Sequence, residues 1–318
     1  MGRCYRHLTN DNRIVIHTLL QEGRSKSYIA DQLGCHVSSI RREIKRNSGD
    51  RGYRPKQAQE QADTRKRIPR TRKMTPEVVA YIEWKVRKDF SPEQISNTMQ
   101  AELGIRVSHE RIYQHLWTDK EYGGTLYQHL RIAGGKKRRK RYGKQDWRGR
   151  IPGRVGIEER PVIVEKKRRF GDWEADLVSG ARHRGYLVTL VERKSKFTLI
   201  GHVARKTAEA VSSEIIRLLA SVEKAVQTIT YDNGREFSGH RDINTALGCT
   251  SYFARPYHSW ERGLNENTNG LIRQYFPKQA DLRAVSRKAL RFVQNRLNHR
   301  PRKTLDYATP EAVFLQTG

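Results

Sequence analysis

The sequence predicts a multidomain chain: N-terminal all-α helix-turn-helix units followed by an α/β domain with a mixed five-stranded sheet in the order βββαβαβα. Three observations predict it. Apolar residues recur at helical spacing up to about residue 133, with capping residues ahead of each run. From about Phe170 the apolar runs shorten to strand length. The first three of these runs follow one another through short turns, whereas the last two are each entered from a helix.

Composition narrows the partner before any motif is read. The 318 residues include 63 Lys and Arg against 34 Asp and Glu, a formal charge of +29. So large an excess calls for a polyanion, with nucleic acid well ahead of a membrane. No apolar run approaches the roughly 20 residues of a membrane span, and MGRCYRHLTND carries no apolar stretch of secretory type. The three cysteines, Cys4, Cys35 and Cys249, are odd in number and far apart. They make neither a disulfide framework nor a zinc site, and a reducing, cytoplasmic setting is expected. Shifts in charge and pattern divide the chain into a first helical unit (1–50), a basic linker (51–73), a second helical unit (74–133), a second basic linker (134–160) and the α/β domain (161–318).

In the first unit, Ile14, Ile16, Leu19 and Leu20 form a helical stripe that ends at Glu22-Gly23. Ser25 is placed to cap a helix carrying Ile29, Ala30 and Leu33, which Gly34 breaks. Val37, Ile40 and Ile44 then line a third helix, completing the helix-turn-helix plan. That helix leaves Ser38, Ser39, Arg41, Arg42, Lys45 and Arg46 largely off its apolar face. Hydroxyls near its start can approach base edges, and arginines can fork onto guanine or hold phosphates. A plain trihelical bundle with a solvated basic face is the competing reading, and the charge favours DNA.

The second unit repeats the shape. Thr75-Pro76-Glu77 opens a helix with Val79, Ile82 and Val86, and Ser91-Pro92-Glu93 opens one with Ile95, Met99 and Leu103. Ser108 starts a third with Ile112, Tyr113, Leu116 and Trp117. This block is near neutral, so it either reads DNA weakly or packs against a partner or another domain. The tract 134–154 has too little apolar surface to fold alone; Lys136, Lys137, Arg138 and Arg139 are expected to grip phosphates without regard to sequence.

In the last domain, DWEADLVS, GYLVTLVER and KFTLIGHVA read as an antiparallel meander, and AVQTITYD and TSYFA as the strands that follow helices. That is the order of the ribonuclease H-like fold, in which the first and fourth strands are neighbours. Asp176 sits in the first strand, Asp232 ends the fourth, and Glu266 begins a late helix. Two carboxylates from adjacent strands and one from a helix can meet at one edge of the sheet. Such a hard oxygen cluster suits Mg²⁺ or Mn²⁺, as a pair of ions about 3.5–4 Å apart for in-line attack on a phosphodiester.

Trp173 to Asp176 as W-x-x-D, Tyr231 to Gly234 as Y-D-N-G, and RPYHSWERGLNENTNGLIRQYFPK resemble the DDE transposase and retroviral-integrase superfamily. With tandem helix-turn-helix units ahead of them, the chain resembles bacterial transposases of the insertion-sequence-thirty family over nearly its whole length, and 33 residues separate Asp232 from Glu266. The resemblance implies metal-dependent cleavage of an element's ends and joining of the 3′-hydroxyl to target DNA. It also implies recognition of terminal inverted repeats in double-stranded DNA and a homo-oligomer on that DNA. It further implies a DNA contact by Arg273, seven residues after Glu266. The paired His and Cys spacing of the retroviral zinc domain is not met by Cys4, Cys35, His7, His17 and His36.

Competing residues remain. Asp172, Glu174 and Asp176 alternate along one strand face, with Glu174 the fallback for Asp176. Glu261 competes with Glu266, and His258 could approach the scissile phosphate. Two rival functions share the fold. A structure-directed nuclease would not need two helix-turn-helix units, and a regulator with an inert scaffold would not keep three repelling acids.

Overall fold

The computed structural model describes residues 7–67, 73–131, 151–255 and 263–317. Cys4, Lys136, Lys137, Arg138, Arg139, His258 and Glu261 lie outside the described residues. The chain forms two units, Met1–Arg72 and Lys73–Gly318.

The first unit contains helices α1 (Asn10–Gln21), α2 (Lys26–Gln32) and α3 (Val37–Asn47), a minimal hairpin of β1 (Ser48–Gly49) and β2 (Gly52–Tyr53), and α4 (Pro55–Arg67). Ser25 accepts from Tyr28 N to cap α2, and Gly34 takes the left-handed backbone (φ +59°) that turns the chain into α3. Ile16, Ile29 and Ile40 are fully buried against Tyr53 and Ala58. Two expectations change. Ile14 is 48% exposed, and the inward position beside it belongs to Arg13. The Arg13 guanidinium is satisfied by Glu43 at 2.8 Å, the Leu8 carbonyl and Gln59, so the stripe tolerates a cation that a purely apolar reading passes over. The basic stretch, read as a linker with room for some helix, contains α4, which buries Ala58 and Ala62 and packs on α1. Alanines four residues apart make a narrow stripe that allows close helix approach with little hydrophobic signal.

The second unit begins with α5 (Pro76–Arg87), α6 (Pro92–Leu103) and α7 (His109–Glu121), capped by Thr75, Ser91 and Ser108 as the sequence predicts. Val78, Ile82, Val86, Ile95, Met99, Ile112 and Leu116 form their core; Leu103 and Trp117 face outward. The short α8 (Val162–Glu165) leads into the sheet. Its strands are β3 (Asp172–Ser179), β4 (Tyr186–Glu192), β5 (Thr198–Val203), β6 (Thr228–Tyr231) and β7 (Thr250–Phe253), with α9 (Ala208–Leu219) before β6 and α10 (His240–Leu247) before β7. The spatial order is β5-β4-β3-β6-β7, the first three antiparallel and the last two joined in parallel to β3. Helix α11 (Gly263–Tyr275) and α12 (Arg287–Asn298) share a core with Val178, Leu187 and Ile200. The opposite face packs α9 and α10 around Trp173, Ile229 and Tyr231. There Phe314 of α13 (Pro310–Phe314) stacks on Phe197, with ring centroids 4.5 Å apart.

The helical module is part of this second unit rather than a separate body. Tyr275 of α11 donates to Asp89 at 2.8 Å, Gln274 donates to the His129 carbonyl, Gln94 donates to the Pro301 carbonyl, and Lys303 pairs with Glu93. Its neutrality therefore goes with polar packing against the α/β domain, one of the two roles the sequence left open. Residues 151–160, expected to be linker, also belong to this domain: Ile151 enters its core, and the Phe253 amide donates to the Val155 carbonyl along β7.

The outer edge of β5 is closed by side chains. Asn298 accepts from Thr198 N and donates to Thr198 O, Gln294 accepts from Ile200 N, and Glu214 accepts from His202 N. These groups occupy the ladder that an incoming strand would use. Replacing Asn298 by Ala should cost about 1–3 kcal/mol, because it leaves a buried N–H and C=O unpaired. Urea unfolding of the purified variant checks this; the more exposed Gln294→Ala should cost less.

Candidate active site

Strand register brings the first two acids together. Asp172, Trp173 and Glu174 of β3 pair in parallel with Thr228, Ile229 and Thr230 of β6. Carried two residues further, the same register sets Asp176 opposite Asp232, where β6 has ended and the chain turns. Neighbouring strands run about 4.8 Å apart, so both carboxylates stand at one sheet edge. Asp232 accepts from Gly234 N at 2.8 Å, an Asx turn that holds its Oδ1. Both Asp176 and Asp232 are half-buried.

Helix α11 supplies the third. It lies across β3 and β4, and its Asn269 donates to Asp176 Oδ2 at 2.9 Å while accepting from Thr189 at 3.1 Å. Leu177 N holds Asp176 Oδ1. Glu266 is three residues before Asn269, one turn up on the same side, and is exposed in the first turn. Among the described residues no three His, Cys, Asp or Glu side chains are gathered closely enough to hold a metal ion. Glu266 is more exposed than Asp176 and Asp232.

The competitors on β3 have structural partners. Asp172 is fully buried, bound twice by Arg169 at 2.9 Å and once by Thr228. Glu174 is 1% exposed and pairs with the equally buried Arg193 at 2.8 Å, while its other oxygen accepts from Asn265 N at the start of α11. Arg193 reaches on to Glu165, which also pairs with Arg160, and Arg160 donates to Thr230. Burial and the neighbouring Arg193 hold the Arg160 guanidinium below its usual pKa. Asp176 alone of the three faces the open edge. The sequence could not separate them by alternation; the signal it held was Arg169 and Arg193, cations at either end of the β3–β4 hairpin.

Arg273, expected to contact DNA, makes hydrogen bonds within the domain. Its guanidinium donates to the Ser179 carbonyl at 2.7 Å and to the Phe276 carbonyl, tying the end of β3 to α11. Asn269, which touches Asp176 directly, was not singled out, although its one-turn spacing from Glu266 was visible.

Two family models match parts of the chain. A helix-turn-helix domain family matches residues 4–47, and an integrase core domain family matches residues 166–259. The transposase for insertion sequence element IS4351 of Bacteroides fragilis is 44% identical over 314 residues, 98% of this chain and 96% of its own. Transposase InsI for insertion sequence element IS30A of Escherichia coli is 33% identical over 98% of this chain and 84% of its own. The chain belongs to the IS30 family of transposases. The transposase for insertion sequence element IS1086 of Cupriavidus metallidurans, 35% identical over 98% of this chain, agrees. This transposase therefore joins a helix-turn-helix DNA-binding domain to a DDE-type integrase core, and its Glu266 lies beyond the matched core segment. No described helix is long and apolar enough to cross a membrane.

In the DNA-binding domain of the transposase, Arg41, Arg42, Lys45 and Arg46 are exposed along α3, with Ser38 and Ser39 half-buried at its start. His36 caps the helix through Nδ1, and Arg42 returns to the Ser38 hydroxyl and carbonyl at 3.1 Å.

Glu174→Gln should lower stability by up to about 3 kcal/mol, since it leaves the buried Arg193 with only the more exposed Glu165 as counter-charge. Asp176→Asn, at the open edge beside another carboxylate, should cost little or stabilise. Thermal unfolding of the two variants side by side checks the assignment.

Proposed function

We propose that this transposase binds the terminal inverted repeats of its insertion sequence through α3, and cuts and joins DNA at Asp176, Asp232 and Glu266. The observation that carries the reading is the parallel β3–β6 register, whose continuation past Glu174↔Thr230 would bring Asp176 and Asp232 to one edge of the sheet. The donor set fits Mg²⁺ or Mn²⁺: all oxygen, hard, and with one oxygen of Asp176 and one of Asp232 each oriented by a backbone N–H. Two ions held by these three residues would polarise the scissile phosphodiester and favour the attacking oxygen.

The chain's own groups set that site up. Asn269 and Leu177 N orient both oxygens of Asp176, so this carboxylate needs no further ordering. Glu174 receives Asn265 N, anchoring the first turn of α11 so that Glu266 stands over the edge. A carboxylate at a helix N-terminus is favourable in itself. In the other unit, Ser38, Ser39, Arg41, Arg42, Lys45 and Arg46 supply the base and phosphate contacts of a reading helix. Lys136, Lys137, Arg138 and Arg139 add sequence-blind affinity. A homo-oligomer on paired element ends follows from the need to cut two of them.

Asp232→Asn should abolish cleavage and joining of a labelled element end in Mg²⁺ while end binding stays within a few-fold, because metal ligation and sequence reading lie in different units. Gel shift and product analysis on the same preparation test it. Retained cleavage in the variant would remove Asp232 from the site.

A further inference from the structure

Two exposed arginines are each bonded to a residue next to one of the acids. Arg131 donates to Asn267, the residue after Glu266. Arg154 donates to Asn233, the residue after Asp232. Both partners are neutral amides, and among the described residues neither arginine pairs with a carboxylate, in a domain where Arg160, Arg169, Arg193, Arg217 and Arg283 all do.

Both backbones are held in place. The residue two before Arg131 has its carbonyl bonded by Gln274 of α11 and its ring on Asp89. Gly270 leaves room for the guanidinium, since a Cβ there would lie 2.8 Å from Arg131 Nη2. On the other side, the Gly153 carbonyl meets His240 at 3.3 Å and the Val155 carbonyl receives the Phe253 amide. Positive charge accumulates behind Arg131 as well: burial, with Arg300 and Arg131 close by, pushes Arg302 down to about 10.

We infer that Arg131 and Arg154 are a pair of DNA-backbone clamps, each holding a phosphate on one side of the scissile phosphate. This inference rests on the acid site proposed above. Fixed backbone, exposure and a neutral amide partner leave each guanidinium fork available to a non-bridging phosphate oxygen pair, a bidentate geometry that lysine does not reproduce. Asn267 and Asn233 tie the two forks to the residues that follow Glu266 and Asp232. Negative charge of the DNA strand then runs between two cations as it passes the acids, which offsets their repulsion for the phosphate.

The test measures cleavage of a duplex carrying the element end, as a function of DNA and salt concentration, for full-length wild type, Arg131→Ala, Arg154→Ala, Arg154→Lys and Asp232→Asn. Thermal melting confirms that each variant is folded. Each alanine variant should raise the DNA concentration for half-maximal cleavage roughly tenfold. Each should also flatten the dependence of log affinity on log salt by about 0.9. Arg154→Lys should recover the salt slope more than the half-saturation. Alanine variants with wild-type half-saturation and slope, alongside an inactive Asp232→Asn, would overturn the clamps and leave the acid site standing. Full cleavage by Asp232→Asn would instead overturn the site reading on which the clamps depend.

Discussion

The buried Arg193–Glu174 pair is the contact on which the catalytic half depends. It joins the end of β4 to the middle of β3, and through Asn265 N to the start of α11. A buried ion pair often contributes little net stability compared with an apolar substitute. Its effect here is one of position. With both partners nearly inaccessible, removing either strands a charge, so the strand pair and the helix start are committed to one arrangement. That arrangement fixes which β3 carboxylates turn inward, and leaves Asp176 at the open edge.

Helix α11 is where the parts of the second unit meet. One side lies on β3 and β4 and carries Asn269 to Asp176. The other meets the helical module through Arg131, His129 and Asp89. Tyr275 sits between Asp89 and Arg300, its hydroxyl donating to one and accepting from the other. Burial, together with the hydrogen bond and charge of Asp89, pushes this phenol up to about 12, so it stays protonated as a donor across the physiological range. The helical module is therefore coupled by direct hydrogen bonds to the helix that carries Glu266.

Much of the architecture was legible because its signals are local. Thr75, Ser91 and Ser108 cap the helices they precede, and β3 covers the same eight residues, DWEADLVS, that the alternation marks out. The helical crossovers gave the parallel pairings of β6 and β7. That Asp176 lies within a strand and that Asp232 follows one at a turn were legible too. What escaped is non-local. Whether Glu174 or Asp176 faces the site depends on Arg193, nineteen residues away. The bond from Arg273 to the Ser179 carbonyl depends on the way α11 crosses β3. The helix α4 hides in a polar stretch because two alanines do its packing. The union of the second helical module with the α/β domain rests on pairs such as Gln94 with Pro301, over two hundred residues apart, which no periodicity encodes.

The central claim is that Asp176 and Asp232 share one cation-binding edge by virtue of the β3–β6 register. Titrating Mn²⁺ into the DNA-free protein, with free ion followed by electron paramagnetic resonance, tests it most directly. Wild type should bind Mn²⁺, and Asp176→Asn and Asp232→Asn should each remove that binding, whereas Asp172→Asn, on a carboxylate already taken by Arg169, should not remove it if the variant folds. Unchanged Mn²⁺ binding in the Asp176→Asn, Asp232→Asn double variant would contradict the account.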